Sequence, residues 1–481
     1  MSQLLADERK ARLTPAPESV RPELLLHALA QLPDDIMFEV SCDDGERQTL
    51  EVLARAYGIE PRAVFRSSGS APPAATTDIA ELTSMAALVE QFWGPADPST
   101  SSEKDNEPLR RRRIGLVTNL PAPYRIPLFN KMAQRLEEVD ADFRLFFLGE
   151  GSRHRSWMRS DEKRAFAHEF VHSVELPLRS RRPHLPIGLA RRLRAFRADV
   201  VLSSGFSPLV SGRVAAISRS NGSVFGLWSG EHASMSTAQD PVRRALRRGL
   251  VASADFAIAY GHAAAGYLKR LRPSLPLVYG RNTSAVASAS RRRSSSELVE
   301  ILAVGDLASP RKGVDVVIRA LAHRPKLACR LTVIGGGHLM PDLQELAKDD
   351  RRVRFLGPQP HARVLTSYAE ADVFVFPSRA DVFGLALVEA MGSGLAPITS
   401  TPPGAVADLC AHEHNALVVP THEPEAWADS LARVVGDTDL RQVLGANARR
   451  TVSQRWTLDH ATEAMLAGLR LGVLSAGNSS K

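Results

Sequence analysis

Short apolar runs alternate with amphipathic segments along most of this chain, and the alternation restarts once. Over residues 111–283 the runs IGLVTNL (114–120), FRLFFLG (143–149), VHSVELP (171–177), DVVLSSG (199–205), SVFGLWSG (223–230), DFAIAY (255–260) and LPLVYGRN (275–282) are rich in Val, Ile and Phe. Runs this short, separated by helical patterns, predict strands of a parallel sheet covered on both faces. The proline-rich turn PAP leads into a predicted helix over 124–139. After residue 298 the same grammar returns as ILAVGDL, LTVIGGG, VRFLG, DVFVFPS, APITS and ALVVP, with helices such as VDVVIRALA and FGLALVEAM between them. The expected fold class is therefore α/β: two tandem Rossmann-like, doubly wound domains facing a cleft, with ligands at the carboxyl ends of the strands.

Two low-complexity stretches punctuate this plan, SSGSAPPAATT with GPADPSTSSEKDNEP, and SAVASASRRRSSSE. Both read as exposed connections. The expected organisation is an acidic helical extension at 1–66, a flexible linker at 67–110, a first Rossmann-like domain at 111–283, and a linker at 284–297. A second Rossmann-like domain then occupies 298–456, and a helix and tail 457–481. LLLHALAQL and QTLEVLARAYGIEPRAVFR in the extension carry amphipathic helical patterns, the second faintly like a helix-turn-helix. Helices after the last strand are long enough to pack across a domain boundary.

With 481 residues, 44% hydrophobic and 24% charged, the chain is ordinary for a multidomain globular protein. The first residues lack the apolar run of a signal peptide, and no uninterrupted apolar run reaches the length of a membrane span. The expected location is cytoplasmic. Cys42, Cys329 and Cys410 are spaced for neither a metal site nor a disulfide framework and read as buried thiols. The net charge of +8 hides an asymmetry, since residues 1–100 are acidic on balance and 110–275 strongly basic. Arginine-rich helix faces are commonly just solvated. The alternative is attraction to an anionic partner, a phospholipid surface at the inner face of the plasma membrane or a lipid-linked acceptor. Nucleic acid is disfavoured, because the basic clusters lack interleaved aromatics.

Candidate chemistry concentrates in FPSRADVFGLALVEAM (376–391). A strand ends at Phe376, a turn follows, and a helix is expected to begin near Phe383. Free N–H groups at a helix start, beside a Gly384 that allows close backbone approach, suit a diphosphate. Glu389 lies about two turns in, placed to accept from a ribose diol, and Asp381 in the turn is a candidate for sugar hydroxyls; taken alone, Asp381 reads more simply as a helix cap and Glu389 as a solvated helix residue. Upstream, VGDLASPRKGVD sets Arg311 and Lys312 at a strand's carboxyl end, where a departing diphosphate needs neutralisation. Gly335 and Gly336 in IGGGH permit a tight turn beside a ligand or tight packing. On the other side of the cleft, Asn119, Tyr124, Arg125, the 204–206 segment, Glu231 and His232 stand at strand ends as acceptor-side candidates, with His232 the expected polar contact to the transferred sugar or acceptor.

The order VGDLASPRKGVDVVIRALA, LTVIGGG, VRFLG, ADVFVFPS, FGLALVEAMGSGLAPITS resembles the donor domain of family 4 glycosyltransferases, of GT-B fold. That family is marked by two glutamates separated by seven residues, the first contacting the donor sugar and the second the ribose. Asp381 and Glu389 occupy those positions. The resemblance also implies a diphosphate-binding lysine at Lys312, backbone donation from Phe383, Gly384 and Leu385, and a cleft-lining asparagine at Asn282. Two departures stand out: Asp306 where the family usually has arginine, with Arg311 as the candidate substitute, and the shorter Asp381 for the first glutamate. NLPAPYRIPLFNKMA is similar to the opening of some members' acceptor domains.

The implied activity is retaining transfer of a sugar from a UDP- or GDP-linked donor to an acceptor hydroxyl, in cell-envelope glycan or glycolipid assembly. The implied partners are the nucleotide-sugar donor and a glycan or lipid-linked acceptor, with no cofactor and no metal. The rival reading is a catalytically silent nucleotide-sugar-binding or scaffold protein of the same fold, motivated by Asp306 and Asp381. Hydrolysis between paired carboxylates fits poorly, because Asp381 and Glu389 sit on a nucleotide-binding pattern rather than flanking a substrate channel.

Overall fold

The computed structural model describes residues 10–13, 37–42, 63–67, 103–149, 163–175, 184–235, 241–284, 298–401, 404–419 and 422–478. In the extension these are three strands, β1 (Lys10–Leu13), β2 (Met37–Cys42) and β3 (Ala63–Ser67), paired in parallel. The end of the second predicted helix is thus a strand. Ala63–Ser67 follows Pro61 and places Val and Phe side by side, a composition that favours extended backbone. LLLHALAQL and the rest of that helix-turn-helix-like pattern lie outside the described residues.

The first large sheet contains β4 (Arg113–Thr118), β5 (Asp142–Phe147), β6 (Ala167–Phe170), β9 (Val200–Ser204), β10 (Val224–Ser229), β11 (Phe256–Ala259) and β12 (Leu277–Tyr279). Its order is β12-β11-β10-β9-β4-β5-β6, all parallel. VHSVELP does not join it. Instead β7 (Ser173–Glu175) pairs antiparallel with β8 (His184–Pro186), and the sheet edge is the more polar β6, AHEF. Edge strands need less apolar sequence because one side lacks a neighbour.

The second sheet contains β13 (Val299–Val304), β14 (Cys329–Ile334), β15 (Val353–Gly357), β16 (Val373–Phe376), β17 (Ala396–Ser400) and β18 (Leu417–Val419) in the order β15-β14-β13-β16-β17-β18, again all parallel. In both sheets the strand order reverses beside the first strand, between β4 and β9 and between β13 and β16. Right-handed crossovers leave that point uncovered at the carboxyl ends, which makes it the ligand crevice of a doubly wound fold. Cys329 and Cys410 are buried thiols, with burial pushing Cys329 up to about 11. Among the described residues no helix is long and apolar enough to cross a membrane.

The last helix, Leu458–Asn478, returns to the first domain. It lies on β11 so closely that a Cβ at Gly468 would come within 2.4 Å of Ile258 and one at Gly472 within 2.4 Å of Phe256. The end of the expected linker is not exposed either: the 3-10 helix Glu103–Leu109 places Asn106 and Leu109 in buried positions, with Asn106 accepting from Arg470 of that returning helix.

Two chain crossings therefore join the domains, and they run side by side. Trp456 donates from Nε1 to the Asn282 carbonyl (2.9 Å), and Thr283 Oγ1 donates to the Trp456 carbonyl (2.9 Å). Trp456 also stacks on Phe383 with ring centroids 6.1 Å apart. Trp456→Ala removes the stack and this hydrogen bond together, and large-to-small changes at buried aromatics cost about 3–5 kcal/mol. A correspondingly lower urea midpoint, followed by far-UV circular dichroism, is the expected outcome.

Candidate functional site

The loops after β13 and β16 face one another at the switch point of the second sheet, and three contacts clamp them. Gly313, at φ +67, lies so near the following loop that a Cβ there would meet the Pro377 carbonyl oxygen at 2.0 Å. The Arg311 carbonyl accepts from Arg379 N (2.7 Å) and Ser378 Oγ (3.0 Å). Arg379 then forks onto Asp315 at 2.8 and 2.7 Å. This bidentate geometry orients the planar guanidinium.

The clamp delivers Lys312 to Asp381. Lys312 Nζ lies 2.5 Å from Asp381 Oδ2 and 5.4 Å from the centre of the Phe376 ring. Asp381 is thus an ion-pair partner in this state rather than an open contact for sugar hydroxyls. Its other oxygen accepts from Phe383 N at 3.3 Å. Arg311 takes a different course: it is exposed, and its Nε is bonded to Ser309 Oγ of its own turn (3.2 Å). Asp306 accepts from Ala308 N (2.9 Å) and shapes the same turn. Gly335 and Gly336 follow β14; a Cβ at Gly335 would collide with the Gly305 carbonyl, so the glycine lets this loop lie against the one carrying Lys312.

The helix after β16 begins at Leu385, not at Phe383, because Gly384 turns through φ +104 before helical bonding starts. The first amides of a helix have no partner within it, which makes such a start suited to an anion. Phe383 is buried and spends its side chain on the domain interface, packing edge-on to Tyr260 (6.4 Å, 84°) as well as on Trp456.

Glu389 is 6% exposed, deeper than a residue awaiting a ribose would need to be. Its Oε1 accepts from Ser284 Oγ (2.8 Å) and its Oε2 from the Tyr368 hydroxyl (3.0 Å). Burial pushes its pKa up to about 7, against the downward pull of these two hydroxyls. A ribose diol would have to exchange with Ser284, which arrives from the domain-linking segment.

Across the cleft, His232 is 2% exposed and its Nε2 lies 2.8 Å from the Asp381 carbonyl oxygen. A carbonyl only accepts, so Nε2 carries the proton, and burial lowers the pKa of the ring and keeps it neutral. Nδ1 is then a bare acceptor, buried and without a hydrogen-bond partner. Glu231 is committed elsewhere, to Arg247 at 2.5 Å beneath the helix Pro241–Ala252. Asn119 is exposed at the end of β4 and Tyr124 is half-buried in the turn that follows, Pro123–Arg125. Arg125 is stacked on Trp228. Asn282 is buried, with its backbone amide on the Tyr260 carbonyl (3.0 Å). At Ser204–Phe206, Gly205 adopts φ +100 and the Phe206 ring packs against Tyr267.

Four residues of this region carried no sequence signal. Tyr368, Tyr260 and Asp408 are scattered through helices and loops, and Ser284 lies in what reads as a linker. Asp408 caps the helix His262–Leu271 from the other domain, accepting from His262 N at 3.0 Å. No local pattern announces a cap supplied across a cleft.

A family model described as Glycosyl transferases group 1 matches residues 299–437, the span holding both facing loops. Over that span the chain is similar to the group 1 glycosyl transferases. Curated relatives agree over this region. A D-inositol 3-phosphate glycosyltransferase of Jonesia denitrificans is 37% identical over 172 residues, 33% of this chain and 40% of the relative. One of Saccharomonospora viridis is 33% identical over 227 residues, 44% of this chain and 52% of the relative. The chain spans about half the length or less of these relatives. Among solved structures, HepE of Anabaena in complex with UDP and glucose superposes with a TM-score of 0.58 at 17% identity, covering 74% of this chain and 99% of that one. A sucrose-phosphate synthase of Thermosynechococcus elongatus gives 0.58 at 17% identity, covering 74% and 97%. At such identities the likeness concerns the fold, a two-domain GT-B arrangement.

Within the second domain the raised pKa of Glu389 has a pH signature. The unfolded carboxyl ionises near 4.5 and the folded one near 7, so unfolding releases a proton between these values. Stability from this group is complete below about pH 4.5, falls as pH rises, and is lost above about 7. Glu389→Gln, which cannot ionise, should gain on the wild type across that window by on the order of 2–3 kcal/mol. Urea midpoints of both proteins from pH 5 to 8 check it; a constant gap refutes the buried-carboxyl account.

Proposed function

We propose that this chain transfers a sugar from a nucleotide-diphosphate donor, UDP- or GDP-linked, to a hydroxyl of a glycan or lipid-linked acceptor with retention of anomeric configuration. The observation that carries the reading is the pairing of Lys312 with the unbonded helix start at Gly384 and Leu385, both at the β13/β16 switch point. A donor diphosphate exchanges with the Asp381 carboxylate for Lys312 and accepts from the first-turn amides. Asp381 is then released toward sugar hydroxyls, and His232 Nδ1 accepts from another. As the anomeric C–O bond breaks, its electron pair leaves on the diphosphate, where Lys312 and the helix dipole stabilise it. The acceptor oxygen bonds to the anomeric carbon on the same face and passes its proton to a diphosphate oxygen. Nothing in this scheme calls on a metal, because lysine and backbone amides supply the charge.

The test is a panel of UDP-, GDP- and ADP-sugars with candidate acceptors, with and without EDTA. Turnover should survive EDTA. Lys312→Met should lower kcat/KM by roughly 100-fold, the scale of losing one preorganised charge contact. Arg311→Met, removing an exposed side chain tied to Ser309, should change it by less than about tenfold. The Asp381–Lys312 pair is also what a silent sugar-nucleotide-binding protein would keep, and nucleotide binding without turnover on every donor would establish that second reading.

We further propose peripheral attachment at the inner face of the plasma membrane, in cell-envelope glycan or glycolipid assembly. Supporting it is the helix Pro241–Ala252, which exposes Arg244 and Arg248 beside Val242 (69% exposed) and Leu246 (55%), with Leu209 (54%) on the adjoining helix. Basic residues flanking exposed apolar ones suit an anionic interface. Co-sedimentation with anionic vesicles, lost with neutral ones and weakened by the double substitution Val242→Ser and Leu246→Ser, is expected; indifference to lipid charge would refute it.

A further inference from the structure

We propose that the first domain binds an oxyanion, a phosphate or carboxylate carried by the acceptor, at Arg125. The residue ends the short turn Pro123–Arg125 after β4, at the switch point of its sheet. Its guanidinium carbon lies 4.1 Å from the centre of the Trp228 ring, 5.3 Å from that of Tyr260 and 5.7 Å from that of Tyr124. One arm donates from Nη2 to the Tyr260 hydroxyl at 2.5 Å. The other, Nη1, is buried with no hydrogen-bond partner, and so is Nε1 of Trp228 against which it stacks.

Arg125 Nη1 and Trp228 Nε1 are thus two buried donors without acceptors in one stack, and one belongs to a permanent cation. Among the described residues no carboxylate pairs with Arg125. The acids of this region are engaged elsewhere: Glu231 with Arg247, Asp381 with Lys312 and Asp408 with the start of the helix at His262. Arg125 as a residue is half-buried, but its Nη1 lies in the buried part, where a charged donor without an acceptor is unfavourable and a cation–π contact offsets only part of the loss. Retaining such a group without a counter-ion makes little sense for stability alone, whereas an arriving oxyanion would satisfy it. The planar fork of arginine matches two oxygens of a phosphate or carboxylate, and the indole N–H supplies a further donor.

The position separates this site from the donor's diphosphate. Arg125 comes from the first sheet, Lys312 from the second, and Tyr260 stands between them, holding Arg125 by its hydroxyl and packing its ring on Phe383. Tyr260 therefore links the oxyanion site to the donor-side loop across the cleft. The assignment to an acceptor rests on the transferase reading above; the oxyanion site itself does not.

The experiment titrates the full chain with inorganic phosphate, alone and with saturating UDP or GDP, following tryptophan emission, to which Trp228 contributes. A saturable change is expected that persists with nucleotide present. It should weaken at least about tenfold in Arg125→Gln and, because the fork is lost while the charge stays, also in Arg125→Lys. Tyr260→Phe, which deletes only the hydroxyl that holds one arm, serves if the arginine variants fold poorly, and a several-fold weakening is expected there. Glucose 6-phosphate and glucuronate should compete with phosphate and glucose should not. No saturable response, equal binding by all variants, or displacement by nucleotide would overturn the proposal. A phosphate response without any nucleotide response would instead overturn the transferase reading and leave the oxyanion site standing.

Discussion

Asp381 is the residue on which the cleft converges. Its carboxylate holds Lys312 and the Phe383 amide, and its carbonyl accepts from His232 of the other domain and, at 3.4 Å, from the Gly404 amide at the start of the next helix. One residue thus holds the Lys312 ammonium, the turn into the helix Leu385–Gly392 and the approach of the two sheets. A carboxylate one methylene shorter than glutamate reaches Lys312 from the turn without displacing the carbonyl that His232 needs.

Several polar groups around this point are buried with fewer partners than they can take. His232 keeps a bare acceptor, Arg125 and Trp228 keep bare donors, and Glu389 has a carboxyl pushed toward neutrality by its surroundings. Core residues distant from the cleft show the opposite economy: the strands of the second sheet bury Val, Ile and Leu, while Arg352 below them closes a full set of bonds to Asp350 and three carbonyls.

The two parallel crossings at 281–284 and 455–457 explain how the domains stay registered while the cleft can open. Asn282, Thr283 and Trp456 are bonded across the crossings, and the final helix anchors on β11 of the first domain through Gly468 and Gly472. The linker's Ser284 reaches Glu389 directly. The connection between the domains and the buried carboxyl of Glu389 therefore share a hydrogen bond.

The order of strands and helices in both large domains was legible from apolar periodicity, since buried parallel strands must be continuously apolar and their covering helices amphipathic. That Lys312, Asp381, Gly384 and Glu389 would gather at the carboxyl ends of the second sheet was legible too, because their positions follow from the strand ends and helix starts around them. Contacts between distant segments decided the rest. Whether Asp381 faces a sugar or Lys312, whether Glu389 is open or sealed under Ser284 and Tyr368, and whether Arg125 has a counter-ion depend on which side chains a fold brings together. The edge strand AHEF and the cap from Asp408 escaped for the same reason: an edge needs little apolar signal, and a cap across a cleft leaves none. Local sequence determined what each segment is, while burial and pairing over long separations, which no window of sequence contains, determined what each side chain is free to do.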